Sequence, residues 1–251
     1  MIHAKFNQTM KPLQKMMRAK TWKFFSLLFV LGISTLLTAC LNDDDDNPLP
    51  PAAYVSFYHG SPDAPGLDIF VDGRKINNNP LNYNETLPYQ PFFLGKRNFR
   101  FTPPNAVNSL LDSEITFEAD KTYSIFISDL SSNLKTLVLE DDWETPTANN
   151  AKIRFVHLSP DAADIEVEIS GTAGPFGDTS DFLNASDFVN FEKGILDITV
   201  KSKITNEILV SANDVEIKGK RVYTLVLRGQ KSQASGDKQL SLQLLTNFIQ
   251  F

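Results

Sequence analysis

The sequence predicts an all-β protein: two tandem Ig-like, antiparallel β-sandwich domains behind an N-terminal signal segment. Three observations predict it. Short segments alternate apolar and polar residues, as in Leu67, Ile69 and Val71 before Gly73, and Ile165, Val167 and Ile169 before Gly171. Period two with β-branched residues marks a half-buried strand. No stretch keeps a helical period for three turns. Finally, Phe57-Tyr58-His59-Gly60-Ser61-Pro62-Asp63-Ala64 recurs as Phe155-Val156-His157-Leu158-Ser159-Pro160-Asp161-Ala162.

The first element is the N-terminal segment. Lys5, Lys11, Lys15, Arg18, Lys20 and Lys23 precede an apolar run from Phe24 to Leu37. As a helix that run is about 21 Å long, at about 1.5 Å per residue. A bilayer core needs about 30 Å. The run therefore reads as the apolar core of a signal peptide, residues 1–39. Leu37-Thr38-Ala39-Cys40 closes it and resembles a bacterial lipobox, in which the cysteine is acylated. Two or more acyl chains hold a protein stably to a bilayer, where one holds it marginally. Cys40 is the only cysteine, so acylation leaves no thiol for a disulfide or for catalysis.

Residues 40–52 read as a tether. Asp43-Asp44-Asp45-Asp46 is a solvated acidic run, and Asn47-Pro48-Leu49-Pro50-Pro51 has polyproline character. Acidic residues just after the lipidated cysteine resemble a surface-export tag of Gram-negative lipoproteins. The resemblance implies an outer-membrane protein facing the cell surface, with the periplasmic face as the alternative. Of 24 Lys and Arg, six lie before Cys40, and none of the 30 Asp and Glu does. From Cys40 on, 18 basic residues therefore face 30 acidic ones, a balance of −12. That argues against nucleic acid and against direct binding to anionic headgroups.

The first domain is expected over 53–143, with strands at 54–59, 67–71, 90–94, 98–101, 114–117, 123–128 and 136–140. Asp72-Gly73 and Gly95 supply turns. The stretch from Asp141 to Asn150 reads as the connection, with the linker at 144–150 and the second domain at 151–251. Lys121-Thr122-Tyr123 and Lys220-Arg221-Val222-Tyr223 extend the correspondence. The period is about 98 residues, far above the roughly 20–50 of solenoid repeats, so each copy is expected to be a domain.

His-x-Ser-Pro-Asp-Ala-Pro, followed by an alternating strand ending Val-Asp-Gly, resembles the family called domain of unknown function 4397. His59 to Gly73 fits that pattern. His157 to Gly171 departs from it, with Ala163 in place of Pro and Ser170 in place of Asp. The resemblance implies domains found in tandem in secreted bacterial proteins and carries no mechanism.

His59, Ser61, Pro62, Asp63 and their counterparts His157, Ser159, Pro160, Asp161 read as a repeated structural turn, with side chains bonding loop backbone. One His and one Asp per copy cannot complete a zinc site. No nucleophile elbow, phosphate loop or dinucleotide fingerprint is present. No catalytic residue, cofactor or metal is therefore expected. Tyr83, Tyr89, Phe92 and Phe93 form an aromatic cluster that is the candidate ligand-binding loop, its alternative being a strand entering the core. The loop from Thr172 to Asp178 occupies a comparable place in the second copy. The expectation is a lipid-anchored, non-catalytic binding or scaffolding module for an extracellular glycan or an envelope protein. The alternatives are a hydrolase acting on polysaccharide or peptide, or a structural surface component.

Overall fold

A computed structural model describes residues 50–249 apart from 173 and 177–180. The signal peptide, Cys40 and the acidic run lie outside the described residues, as does part of the loop from Thr172 to Asp178. What is described is all-β, with one short 3-10 turn at Ser131–Asn133.

The first half contributes β1 (Ala53–His59), β2 (Asp68–Val71), β3 (Arg74–Lys75), β4 (Thr86–Phe92), β5 (Gly95–Thr102), β6 (Leu111–Phe117), β7 (Thr122–Ser128) and β8 (Lys135–Glu140). One sheet runs β4-β1-β7-β8 and the other β3-β2-β5-β6. The second half contributes β9 (Asn150–His157), β10 (Ile165–Ile169), β11 (Asn184–Ala185), β12 (Val189–Glu192), β13 (Gly194–Ser202), β14 (Ile208–Ile217), β15 (Arg221–Arg228) and β16 (Ser241–Ile249). Its sheets run β11-β9-β15-β16, with β12 also pairing β9, and β10-β13-β14. Each half is thus a β-sandwich. Most neighbours are antiparallel, but β1 pairs with β7, and β9 with β15, in parallel.

Alternation decides which residues fill each sandwich. Val55 and Phe57 on β1, Ile69 on β2, Phe99 and Phe101 on β5, Phe117 on β6 and Ile125 and Ile127 on β7 form the first core. Ile153, Phe155, Ile165, Val167, Val200, Leu225 and Leu227 form the second. Two differences from the sequence expectation stand out. β3 is only two residues long, too short for a periodic signal. β4 begins at Thr86 and ends at Phe92, because an edge strand tolerates Pro88 and Pro91.

The opposite faces of the central strands are also buried. Tyr58, Phe126, Val156, Leu158 and Val226 make a third cluster, drawn from both halves. Burial on both faces is the usual setting of parallel pairs. The described residues from Pro51 on accordingly pack as one unit. A Cβ on Gly60 would lie 2.8 Å from Leu158 Cδ1, so only glycine admits this approach without a shift.

Tyr123 and Tyr223 explain the recurring Lys-Tyr segments. Each phenol oxygen accepts a backbone N–H five residues upstream, from Glu118 at 3.4 Å and from Lys218 at 3.2 Å. This closes the turn that feeds the central strand.

Candidate functional site

The two halves meet with a common direction. Tyr89 on β4 and Ser124 on β7 are linked to Arg154 on β9 and Thr224 on β15 through Asp141 and Asn247. Gly60, just past the end of β1, faces Leu158, just past the end of β9. The body therefore has two poles. One holds the starts of β1 and β9. The other holds both His-x-Ser-Pro-Asp turns.

At the turn pole, each histidine is fully buried. His59 Nδ1 accepts the Ser61 amide at 3.2 Å, and Nε2 lies 3.0 Å from the Pro65 carbonyl. His157 repeats this, with the Ser159 amide at 3.2 Å and the Ala162 carbonyl at 2.6 Å. A nitrogen facing an N–H must accept, and one facing a carbonyl must donate. Both rings are therefore neutral, with the proton on Nε2. Burial pushes both below the usual imidazole value, His157 to about 4, although the carbonyl bonds oppose it. Tyr83 packs edge-on to His59, and Phe182 edge-on to His157.

The aspartates of these turns fix a second loop. Asp63 accepts the Ser131 amide at 2.7 Å and its hydroxyl at 3.0 Å. Asp161 accepts the amides of Lys231 at 2.7 Å and Ser232 at 2.9 Å. Burial would raise the Asp161 carboxyl, but Ser232 and Lys231 outweigh it and hold it below the ordinary value. Replacing Asp63 or Asp161 by Ala is expected to lower the unfolding free energy by roughly 0.5–2 kcal/mol, read in urea denaturation. A stoichiometric metal lost from these variants at unchanged stability would instead make the carboxylates ligands.

Four loops join the two turns at this pole. Residues 129–134 and 229–240 are held by Asp63 and Asp161 as described. The loop 103–110 is tied down where Asp68 accepts the Asn105 amide at 3.1 Å. The loop 203–207 is tied where the Asp164 carbonyl accepts the Lys203 amide at 2.7 Å. Val107 and Ile204 stand out of these last two loops, 81% and 77% exposed.

Between the halves, toward the other pole, lies a buried polar network. Arg154 and Asp141 form an ion pair at 2.5 Å, and neither side chain is more than 2% exposed. Arg154 Nε donates to Thr224 at 3.0 Å, and its guanidinium lies over the Phe188 and Phe126 rings at 4.6 and 5.7 Å. Asp141 accepts from Tyr89 at 2.5 Å and Ser124 at 2.6 Å. Thr224 donates to Asn247 at 2.7 Å, and Asn247 donates to Tyr89 at 2.9 Å. Burial and the adjacent Asp141 charge push the Tyr89 phenol up to about 12. The stretch read as a connection thus begins inside the body. Trp143 follows with its ring 5.5 Å from Phe188 and 6.2 Å from Phe248.

The aromatic cluster does not converge on one surface. Tyr89 belongs to this network. Phe92 lies in the first core, and Tyr83 is half-buried beneath the Arg228 guanidinium of the second half. Phe93 alone points to solvent, 75% exposed, at the pole opposite Tyr83. Strand period separates neighbours that look like one patch in the sequence. Arg154 and Asp141 were missed because lone charges in a strand and a linker look solvated.

A shallow polar groove of about 420 Å³ lies on β10 and β13, lined among others by Glu168, Ser170, Thr172, Asp197 and Thr199. Glu168 is paired with Lys201 at 2.5 Å, and Asp197 accepts the Asp214 amide at 3.0 Å. Among the described residues, no group of three or more His, Cys, Asp or Glu is placed to hold a metal ion. No described helix is long and apolar enough to cross a membrane.

No curated protein matches the chain significantly. Among solved structures it is similar to a streptococcal virulence factor that binds alpha-glucan, with a TM-score of 0.26 and 10% identity over 73% of this chain and 95% of that one. It is also similar to a protein described as an adhesin from Bacteroides ovatus, with a TM-score of 0.23 and 8% identity over 78% of this chain and 93% of that one. Residues 53–168, the whole first sandwich and the start of the second, match the model of the domain of unknown function DUF4397, the family that the histidine turn resembles.

Proposed function

We propose that the protein is a lipid-anchored cell-envelope component whose body is a non-catalytic binding or scaffolding module. In this reading Cys40 carries the lipid at the outer membrane, and the body faces the cell surface. Residues 53–143 and 151–251 are two copies of one domain joined at 144–150. The turn pole carries the ligand face, for an extracellular glycan or an envelope protein.

One observation supports this most. Loops of both halves gather at the pole away from the start of β1, while the side chains there with the most chemical capacity are engaged in holding the loops. Both histidines are committed to backbone through both ring nitrogens, and Asp63 and Asp161 each hold a neighbouring loop. A frame fixed in this way presents loop tips, and binding on sandwiches is borne by loops.

The test is capture of envelope polysaccharides and envelope proteins by the purified full-length protein. Replacing Val107 and Ile204 together by Asp is expected to weaken capture by about tenfold or more, as loss of exposed anchor side chains does. Phe93→Asp is expected to leave capture unchanged. Release of soluble sugar or peptide from an envelope polymer, abolished by a single carboxylate substitution, would make the protein a hydrolase.

A further inference from the structure

We propose that the pole holding the starts of β1 and β9 is a membrane-contact face that seats apolar and aromatic side chains in a zwitterionic lipid headgroup layer. This rests on the lipid-anchor reading above.

Ala53, the first residue of β1, pairs with Phe92, the last of β4. Phe93 therefore stands beside the point where the described chain begins. It is exposed although its neighbour Leu94 packs on the first core. Tyr54, opposite Pro91 and Thr122, is also exposed on this side. The second half contributes Ile195, 66% exposed, one residue into β13 where the Lys193 amide bonds the Asn149 carbonyl. Phe248 adds a partly open ring beside Trp143. Tyr and Trp settle at a membrane–water boundary, and Phe is among the apolar side chains that interfacial anchors bury at the headgroup–acyl boundary.

Charge selects the kind of lipid. Lys96 is paired with Glu114, and Lys121 with Glu140, and the remaining bases of this pole, Lys193, Lys220 and Arg221, are outnumbered by its acids Glu118, Asp120, Asp142 and Glu192. The chain from Cys40 on is strongly acidic, as counted above. Attraction to anionic headgroups is therefore weak, and insertion of apolar side chains is the driving force.

The tether makes a weak contact sufficient. Eleven residues from Cys40 to Pro50 reach at most about 35–40 Å when fully extended. A link this short sets an effective concentration on the order of millimolar. Side chains that would not hold a free protein to a bilayer are then enough to orient a tethered one. The turn pole faces outward as a result.

The experiment uses the acylated protein from Cys40 on, which lacks Trp22, in phosphatidylcholine vesicles with or without brominated acyl chains. Phe93→Trp is compared with Ile204→Trp at the opposite pole, over the common Trp143 background. Bromination is expected to quench the added emission of Phe93→Trp by about half, as for a ring at the headgroup–acyl boundary. Ile204→Trp is expected to be unaffected. Equal quenching at both positions, quenching only at 204, or none at 93 would overturn the proposal. Mass spectrometry of the Cys40 peptide tests the anchor separately. If Cys40 carries no lipid, the anchor reading fails. The same protein is then coupled through this single thiol to a maleimide lipid, and the quenching pattern decides the face by the same outcomes.

Discussion

Asp141→Ala is expected to destabilise the body by about 3–5 kcal/mol, the usual consequence of stranding one member of a buried ion pair. The variant leaves the Arg154 guanidinium buried without its carboxylate. It also removes the acceptor of Tyr89 and Ser124. Arg154→Ala strands the carboxylate instead and should cost a similar amount. Asp141→Leu combined with Arg154→Met should recover much of the loss, because no lone charge remains. The readout is unfolding in urea or guanidinium. A loss below about 1 kcal/mol for Asp141→Ala would place it with exposed ion pairs and refute the buried network.

The second large effect is on pH. Both histidines bind a proton less readily folded than unfolded. The unfolded chain therefore takes up protons first as pH falls, and stability falls with it. The contribution is fully present above the unfolded value near 6.5. It is lost as pH drops from about 6.5 toward about 4, where His157 titrates in the folded state. For His157 this amounts to about 3 kcal/mol, at 1.36 kcal/mol per pH unit. His59 adds to it in the same direction. Glu85 near His59 and Asp181 near His157 act against the shift without reversing it. Carboxylates with depressed values, such as Asp161, lose their contribution only below their ordinary value near 4, in a separate window. Unfolding free energy measured at pH 7, 6, 5 and 4 should therefore fall steeply. His157→Gln, which can still donate and accept at the same turn, should flatten that fall. A wild-type profile that is level between pH 6.5 and 4.5 would contradict the buried neutral tautomer.

Much of the frame was legible because period two survives in single strands. Leu67, Ile69 and Val71, like Ile165, Val167 and Ile169, announce one buried face, and the structure puts Ile69 and Val167 in the two cores. The repeated His-x-Ser-Pro-Asp segment announces a turn, because proline and aspartate act within a few residues of themselves. The relation between the halves was not legible. Ser56, Tyr58, Ser124 and Phe126 have the spacing of a strand face whether that face meets water or another sheet. Only the packing of the halves decides. Arg154 and Asp141 were hidden for the same reason. The meaning of each charge depends on a partner that chain proximity does not supply. Parallel pairing of β1 with β7 was equally silent, since the residues brought side by side are about 68 apart and share no local signature.

The parallel pair also sets how the body carries tension. β1 is the first strand among the described residues, and both its edges are hydrogen-bonded, to β4 on one side and β7 on the other. A pull applied between Pro51 and the turn pole runs along β1. The ladder bonds then lie across the load and share it in shear, so they must yield together rather than peel one at a time. Failure under load is governed by the rate of unfolding rather than by equilibrium stability. A strand gripped on both edges and both faces is a placement that keeps that rate low.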